Sequence, residues 1–332
     1  MLKRLLIVAT TSIVASSYAF GQTTKTTTTV TTTSQTSENN SSTQAQPRFI
    51  FSLEGIYTMT RTNEIEYGRV GLFNPQSRNI SLDKGWEIRG TASFRLDNNI
   101  EIGLGLGWSR LNPVKDSGPG GFLASVNLDP DVTIPAIFST GTQAKLKESH
   151  YVVDAQLAFP LAFNSFKLKI FGGIRYANFD EKINASATAL FGLVNIAQQR
   201  KQDSWGIGPR VGVAFEMPIS SGGLSLVGDF GAAALFGNHK TKTNTTLSLL
   251  GFPIINRSVA QKDNRTVYSL EGNLGLAYNF GQSGIQIALG YHFENWVNVD
   301  NTQTRRVGGS LVGEKQSDRL QHGPFLKVSF GF

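Results

Sequence analysis

Apolar and polar residues alternate in ten separate segments between Arg48 and the end of the chain. In the segment 85–97, for example, Trp86 and Ile88 fall on one side, and Glu87 and Arg89 fall on the other. A repeat of two residues is that of a β-strand, whereas a helix repeats every 3.6 residues. The pattern therefore predicts ten strands, at 48–60, 85–97, 100–111, 146–159, 166–179, 203–217, 224–237, 266–280, 285–297 and 320–332.

The last segment runs to the final residue, so the chain ends inside a strand. Phe332, Phe330 and Leu326 share its apolar face. A soluble sandwich could use such a strand at an edge, but a closed barrel pairs it with the first strand and leaves no free edge. The pattern also resembles the C-terminal signature of bacterial outer-membrane barrels. We therefore predict that Phe330 and Phe332 are the assembly signal read by the barrel assembly machinery.

The connections between the segments alternate between short and long. Short periplasmic turns and long extracellular loops are typical of a transmembrane antiparallel up-and-down β-barrel. The predicted fold is therefore all-β, a barrel of about ten strands with both termini on the periplasmic side. Aromatic residues near both ends of the strands, such as Trp86 and Phe94, predict a belt at each membrane interface. The predicted long loops are 61–84, 112–145, 180–202, 238–265 and 298–318.

The N-terminal region has a different composition. Lys3 and Arg4 precede an apolar run, and small residues follow at Ser17 and Ala19, as in a secretory signal peptide. We predict that 1–21 is a cleaved signal peptide, which directs export to the outer membrane of a Gram-negative cell. Residues 22–47 are almost all Thr, Ser, Gln and Asn, which predicts a disordered periplasmic tail. The barrel is then 48–332.

The polar face of a membrane barrel points into the lumen, where charged side chains are candidates for function. Acids and bases on this face nearly balance, which favours a salt-bridged interior that is closed or leaves a narrow path. Glycines on the same face favour an open lumen instead, so both interpretations stay open. The predicted lumen-facing residues are Glu54, Glu87, Arg89, Arg95, Glu101, Asp154, Lys167, Lys169, Arg175, Arg210, Glu216, Asp229, Glu271, Glu294 and Lys327.

Each predicted loop contains a short apolar stretch around a glycine. Exposed apolar patches of this kind usually mark contact surfaces. One hypothesis is that the loop tips cover the mouth of the barrel or meet a partner; the alternative is that each folds back on its own hairpin. The tip residues are Leu72, Phe73, Phe122, Leu190, Phe191, Leu250 and Phe252.

The reactive residue types give no motif for catalysis or cofactor binding. The chain has no Cys, and its four His are scattered without an acidic pair at a predicted rim. We therefore predict no enzyme activity, cofactor or metal centre. The formal net charge of +7 would suit nucleic acid. On a secreted chain it instead favours contact with outer-membrane lipid and the phosphates of lipopolysaccharide. A homo-oligomer stays open.

Four stretches resemble a known family. They are F-G-G-I-R-Y-A-N-F at 171–179, W-G-I-G-P-R-V-G-V at 205–213, G-Y-H-F-E-N-W-V-N at 290–298 and G-P-F-L-K-V at 323–328. Together they resemble the Legionella-type major outer-membrane protein family, and this resemblance implies pore formation. The expected function is a porin-like narrow channel for small hydrophilic solutes or ions. The alternative is a structural or adhesive surface barrel with a closed lumen, whose loop tips bind a partner.

Overall fold

The computed structural model describes residues 48–62, 64–70, 76–119, 123–129, 132–137, 139–163, 166–303, 306–307, 310–311 and 314–331. Ten long strands dominate this part of the chain. In chain order they are β1 (Phe49–Thr62), β2 (Lys84–Arg95), β3 (Glu101–Leu111), β4 (Gly141–Phe163), β5 (Phe166–Ala189), β6 (Val194–Pro218), β7 (Leu224–Leu249), β8 (Phe252–Asn279), β9 (Ile285–Gln303) and β10 (Glu314–Gly331). Among the described residues, no helix is long and apolar enough to cross a membrane.

The ten strands form a closed antiparallel ring. Each strand pairs with the strands before and after it in the chain, and β10 pairs with β1. In that closing pair, Ile50 lies opposite Gly331 and Phe51 lies opposite Phe330. The up-and-down barrel of ten strands predicted from the alternation is confirmed. The first and last described residues, Arg48 and Gly331, lie at the end of the barrel that carries the short turns, such as the one at 96–100.

The outer surface is apolar between two aromatic belts. At one level, Trp86 packs edge-on against Trp108 at 4.7 Å between ring centroids, and Tyr176 stacks on Trp205 at 6.3 Å. At the other level Phe49 packs on Phe94 at 4.8 Å. The side chains between the belts are exposed and include Leu104, Leu106, Ile174, Val211, Leu274 and Leu289. This is the lipid-facing band of a transmembrane barrel.

Two of the predicted long loops are wrong. Residues 180–202 and 238–265 lie mostly within strands, because β5 pairs with β6 up to Ala189 and Val194, and β7 pairs with β8 up to Leu249 and Phe252. The chain reverses only at 190–193 and 250–251, where Phe191 and Leu250 have positive φ. Beyond the aromatic belt the outer face meets water instead of lipid. The outer face therefore loses its apolar residues although the strands continue, and inner positions such as Ile183 are apolar instead.

The other three predicted loops contain short strands. In 298–318, Arg306–Val307 pairs with Ser310–Leu311. Strand Val114–Pro119 extends the main sheet by pairing with the start of β4. Strands Ile65–Val70, Gln76–Ile80, Leu123–Asp129 and Val132–Ile137 form a separate four-stranded sheet, which we call the cap sheet. It shares a buried apolar core with β4, β5 and β6. Above the belt, the loops of the protein therefore fill the interior of the barrel. This core includes Ile65, Tyr67, Ile80, Val126, Leu146, Ile183 and Ile196.

Candidate functional site in the barrel interior

A layer of charged side chains lies inside the ring between the two aromatic belts. Its members alternate with outward-facing apolar residues: Arg175, for instance, lies between Ile174 and Tyr176 on β5. Because successive side chains on a strand point to opposite faces, the apolar neighbours face lipid and the charged ones face inward. We call this set the Arg–Glu layer: Glu87, Arg89, Asp154, Arg175, Arg210, Glu271 and Glu294.

Arg175 connects both sides of the interior. Its guanidinium donates to both carboxylate oxygens of Asp154 on the neighbouring strand, at 2.7 and 2.8 Å. It also donates to Glu271, with Nη2 at 2.8 Å from Oε1 and 2.9 Å from Oε2. Two-point contacts between arginine and carboxylate are among the strongest side-chain hydrogen bonds. Since Glu271 lies on β8, three strands away from β5, this contact crosses the interior of the barrel.

Glu271 also accepts from two further arginines. Arg210 donates to it through Nε at 2.9 Å, and its guanidinium lies 4.6 Å from the centre of the Phe171 ring. Arg89 donates to it through Nη1 at 3.2 Å and to Glu294 through Nη2 at 2.9 Å. Arg89 also pairs with Glu87. Strands β2, β5 and β6 are therefore connected to β8 through one carboxylate.

Glycines on the inner face make room for these side chains. A Cβ atom on Gly231 would lie 2.8 Å from Oε1 of Glu271, and one on Gly107 would lie 3.6 Å from Cγ of Arg89. The volume that the glycines leave is occupied by the Arg–Glu layer rather than by an open lumen. The layer is correspondingly occluded: Glu87, Arg175, Glu271 and Glu294 are each at most 2% exposed.

Further charged groups lie towards the short-turn end of the barrel. Glu101 accepts from Lys169 and from Arg95, each at 2.5 Å. Glu54 lies 3.9 Å from Lys327. The remaining three residues predicted to face the lumen also contact polar partners, but not the Arg–Glu layer. Lys167 pairs with Glu216 at 3.3 Å, and Asp229 accepts from Asn273 at 3.2 Å.

A second buried cluster lies on the other side of the Arg–Glu layer, towards the cap sheet. Arg319 donates to Glu148, and its guanidinium lies 5.5 Å from the centre of the Phe179 ring. Phe179 packs edge-on against Trp296 at 4.9 Å. His150 bonds Glu148 through Nδ1 at 3.2 Å. The interior is thus filled by two successive layers of polar and aromatic side chains.

The sequence prediction missed this second cluster. Glu148 and His150 fall in a predicted strand, but Arg319 precedes the predicted start of β10. Glu181, which lies 3.9 Å from Arg319, and Arg200, which lies 3.6 Å from Glu181, also belong to this cluster and fall in a predicted loop. The usable signal was the continuation of alternation beyond the aromatic belt. Glu181, for example, lies between two polar residues and two positions before the buried Ile183.

One group of side chains has the composition of a metal site. Glu87, His150 and Glu294 each offer a ligand atom, and these atoms lie within 4.8 Å of one another. All three residues are buried. No other predicted site residue joins them in this arrangement among the described residues.

The predicted loop tips fall into two groups. Leu72, Phe73 and Phe122 lie outside the described residues. Leu190, Phe191, Leu250 and Phe252 lie at the ends of the β5–β6 and β7–β8 hairpins, which are joined by a hydrogen bond from the Leu250 amide to the Leu193 carbonyl at 2.7 Å. Phe191 is 88% exposed and Phe252 is 76% exposed. These four residues project away from the barrel, and we call them the apolar crown.

The predicted assembly signal lies at the seam of the ring. Phe330 pairs with Phe51 of β1 and with Ile285 of β9. Phe332 lies outside the described residues.

Comparison with known proteins places the chain in a family. The family described as Legionella pneumophila major outer membrane protein precursor matches residues 17–332. The chain belongs to this family. Its members are outer-membrane proteins, and the outer membrane is therefore the location of this barrel. No curated protein matches the sequence.

Solved structures with similar architecture are distant in sequence. The outer membrane protease OmpT from Escherichia coli is 11% identical, with 87% of this chain and 98% of that chain covered and a TM-score of 0.47. A major outer membrane protein from Thermus thermophilus is 13% identical, with 86% and 99% covered and a TM-score of 0.35. A Pseudomonas aeruginosa FadL homologue is 9% identical, with 86% and 90% covered and a TM-score of 0.27. At these identities and scores the likeness carries no functional argument.

Proposed function

We propose that the protein is a porin-like narrow channel for small hydrophilic solutes or ions, and that the Arg–Glu layer is its gate. The observation that carries this proposal is the polar, charged interior, with three arginines on one carboxylate midway between the aromatic belts. An apolar filling would be the more stable way to close a barrel permanently, because buried ion pairs seldom add net stability. A polar layer held by side chains alone can open by changes of rotamer.

On this proposal, the observed arrangement is the closed state of the channel. The charged groups of the layer have little contact with solvent. Opening requires the Arg175 and Arg210 side chains to leave Glu271, while the backbone ring stays intact. We therefore expect low, intermittent conductance in the wild type.

Planar-bilayer recording of the refolded protein tests this proposal. Glu271→Gln removes the common acceptor, so we expect longer open times and a larger mean conductance. Glu216→Gln is the matched control, because Glu216 pairs with a largely exposed lysine at the short-turn end. Charge reversal at Arg175 or Arg210 is expected to change ion selectivity. Absence of conductance in the wild type and in Glu271→Gln would contradict the channel proposal.

The apolar crown favours a second candidate, an adhesive surface barrel with a permanently closed lumen. Four exposed apolar side chains on two joined hairpin ends form a contact surface well away from the lipid-facing band. Replacing Leu190, Phe191, Leu250 and Phe252 with Ser tests it. If the barrel is adhesive, this variant loses binding to host cells or matrix and keeps its fold. Unchanged binding would contradict an adhesive role for the apolar crown.

We also propose that the chain is exported through a signal peptide spanning 1–21 and that 22–47 is a periplasmic tail. The composition of both segments supports this. N-terminal sequencing of protein purified from outer membranes tests the cleavage, with a mature start near residue 20 or 22 expected.

A further inference from the structure

We propose that the barrel interior contains a binding site for one divalent transition-metal ion, formed by Glu87, His150 and Glu294. Their potential ligand atoms lie within 4.8 Å of one another. The three residues come from β2, β4 and β9, so the site is assembled only when the ring closes. This inference does not depend on conductance.

The first line of support is a set of unpartnered atoms that face one another. Among the described residues, Oε2 of Glu87, Nε2 of His150 and Oε1 of Glu294 are buried without a hydrogen-bond partner. Nη1 of Arg175 lies 3.7 Å from Oε1 of Glu294, beyond hydrogen-bond distance. Buried polar atoms normally have partners, because leaving one unpaired costs about 1–3 kcal/mol. Three such atoms in one place indicate a missing common ligand.

The second line of support is the orientation of His150. Its Nδ1 bonds Oε1 of Glu148 at 3.2 Å, and Glu148 in turn accepts from Arg319. A histidine ligand usually donates its second ring N–H to a carboxylate, which fixes the ring and leaves the other nitrogen free for the metal. His150 has this arrangement, with Nε2 as the free nitrogen.

The third line of support is local geometry on neighbouring strands. Glu87 is paired with Ser109, and Ser109 is paired with His150, so all three lie at one level on β2, β3 and β4. The small Ser109 between them lets the two longer side chains converge. Its buried Oγ also has no partner among the described residues and can hydrogen-bond a metal-bound water.

Charge also favours a cation here. The Arg–Glu layer has three arginines and four carboxylates. Arg89 contacts one oxygen each of Glu87 and Glu294 and leaves their other oxygens free. One imidazole nitrogen and two carboxylate oxygens suit Zn²⁺ or another first-row divalent ion better than Mg²⁺. Zinc ligands lie about 3.4 Å apart when each is about 2.1 Å from the metal, so ligand atoms that are now up to 4.8 Å apart need to close by up to about 1.4 Å.

Metal binding during refolding tests the proposal, because loading at that stage needs no path into a closed barrel. The full-length protein is refolded into detergent with or without Zn²⁺, freed of excess metal and analysed by elemental mass spectrometry. We expect one Zn²⁺ per barrel and a higher melting temperature. Mg²⁺ should give neither. Co²⁺ should give a visible absorption band that Zn²⁺ abolishes.

Variants locate the site. Glu87→Gln and His150→Gln should lose the bound zinc, and Glu148→Gln should weaken it by about 10–100-fold through the histidine. Glu54→Gln is the matched control, because Glu54 is a buried interior carboxylate that also has an unpartnered oxygen. His322→Gln is a second control, because it removes a half-buried histidine that bonds Tyr291 instead of the three site residues. Zinc-free wild-type protein, or equal zinc in Glu87→Gln and wild type, would overturn the proposal. If some variants do not fold, the wild-type measurements still decide it.

A separate observation on the outer wall carries a second inference: the structure assigns this wall a site for lipopolysaccharide phosphates. Four lysines lie directly opposite one another on four adjacent strands, Lys147 on β4, Lys182 on β5, Lys201 on β6 and Lys242 on β7. We call them the lysine row. Residues paired across strands point to the same side, and the flanking Glu181 and Arg200 point inward.

Such a row is unfavourable without an anion, because like charges directly opposite each other destabilise a sheet. Lys201 pairs with Asp180 at 3.5 Å, and neither Lys147, Lys182 nor Lys242 has an acidic partner among the described residues. More lysines adjoin the row on the same face: Lys240 is paired with Lys262, and Lys115 is paired with Lys145. Against these eight lysines, the same face has Asp180 and Asp203.

The height of the row identifies the occupant. Lys201 lies four residues beyond Trp205, and Lys147 lies four residues before Tyr151, both belt residues. Four residues of a strand tilted by about 40° rise about 10 Å. The row therefore lies just outside the hydrocarbon layer, at the level of lipid headgroups. In the outer leaflet of an outer membrane these are the phosphorylated sugars of lipopolysaccharide.

The test compares lipopolysaccharide bound to purified protein before and after charge removal. Lys147→Gln, Lys182→Gln, Lys201→Gln and Lys242→Gln combined should reduce co-purified lipopolysaccharide several-fold and remove its stabilising effect on the melting temperature. The control is Lys84→Gln with Lys167→Gln, two exposed lysines outside the row. Dephosphorylated lipopolysaccharide should bind the wild type as weakly as intact lipopolysaccharide binds the variant. Inorganic phosphate alone should not stabilise the protein. Equal binding by variant and wild type would overturn this inference.

Discussion

Glu271 has an exceptional set of contacts for one carboxylate in a protein interior. It accepts from Arg89, Arg175 and Arg210, and these come from three other strands. A buried ion pair adds little net stability when complete, but removing one partner leaves a buried charge without compensation. At the scale of single residues, the stability of the interior therefore depends on every charged group keeping its partners, more than on the strength of any one ion pair.

The first prediction concerns the stability of this network. Glu271→Gln should lower the free energy of unfolding by about 3–5 kcal/mol, because three buried guanidiniums lose their common carboxylate. Glu216→Gln should change it by less than about 1 kcal/mol, because its partner Lys167 is mostly exposed. Urea unfolding in lipid vesicles, followed by Trp fluorescence, measures both. Equal losses for the two variants would contradict a central role for Glu271.

The second prediction concerns Tyr67 in the cap sheet. Burial and the hydrogen bond that its hydroxyl donates to Asp116 at 2.6 Å raise the pKa of Tyr67 to about 12, from an ordinary value of 10.0. A raised pKa means that the unfolded chain loses this proton first as pH rises. The stabilisation is therefore complete below pH 10 and is lost as pH rises to about 12.

Ultraviolet titration tests this value. Subtracting the titration of Tyr67→Phe from that of the wild type leaves the signal of Tyr67 alone, with an expected midpoint near pH 12. The variant should also lose less stability than the wild type between pH 10 and 12. A difference midpoint near pH 10 would show that the hydroxyl is free in solution.

At the scale of strands, the membrane-spanning parts could be predicted from the sequence, and the parts above the membrane could not. Between the belts lipid requires an apolar outer face, so residues such as Leu104 and Leu106 mark every second position. Above the belts Lys182 or Lys242 satisfies water equally well in a strand or a loop. The cap sheet could not be predicted from the sequence for another reason. Its core with Ile183 and Ile196 joins segments far apart in the chain.

The sequence predicts which residues face the interior, but not which of them contact one another. Alternation assigns Arg175 and Glu271 to the inner face, but it cannot show that they meet, because the distance across a ring depends on all ten strands. For the same reason, the sequence could not predict that Glu87, His150 and Glu294 lie close together. Each lies on a different strand, and no local motif marks any of them.

The third prediction tests the extended strands. Trypsin should not cut the folded protein after Lys182, Arg200, Lys201, Lys240 or Lys242, because a paired strand does not fit the extended binding cleft of a protease. The heat-unfolded protein should be cut at all of them. Mass spectrometry of the digest identifies the sites. Rapid cleavage at Lys201 or Lys242 in the folded protein would favour loops there.

At the scale of the whole barrel, stability depends on the closure between β10 and β1. The pairing runs from Thr62 and Arg319 to Ile50 and Gly331, so the last strand is held along almost its full length. The other edge of β10 pairs with β9. We therefore expect the seam to close late in folding, because its two strands are far apart in the sequence.

The fourth prediction concerns the final residue. Deleting Phe332 should reduce the amount of folded barrel in the outer membrane of expressing cells, because the predicted assembly signal is shortened. Refolding of the purified variant in detergent should be unchanged, because every described seam pair, up to Ile50 and Gly331, remains. Heat-modified electrophoretic mobility measures both. Normal levels in cells would remove Phe332 from the signal, and failure to refold would assign it a structural role instead.

The unequal lengths of the strands have a consequence for how the molecule meets its neighbours in the membrane. Strands β4 to β8 have 23 to 28 residues, whereas β1 to β3 have 11 to 14. A strand of 28 residues is about 90 Å long, far more than the apolar band of about 25 Å requires. The flank formed by β4 to β8 is therefore tall, and the flank formed by β1 to β3 is low. Another barrel of equal height would find the low flank the more open approach, whereas the sugar chains of lipopolysaccharide bound at the lysine row would lie along the tall one.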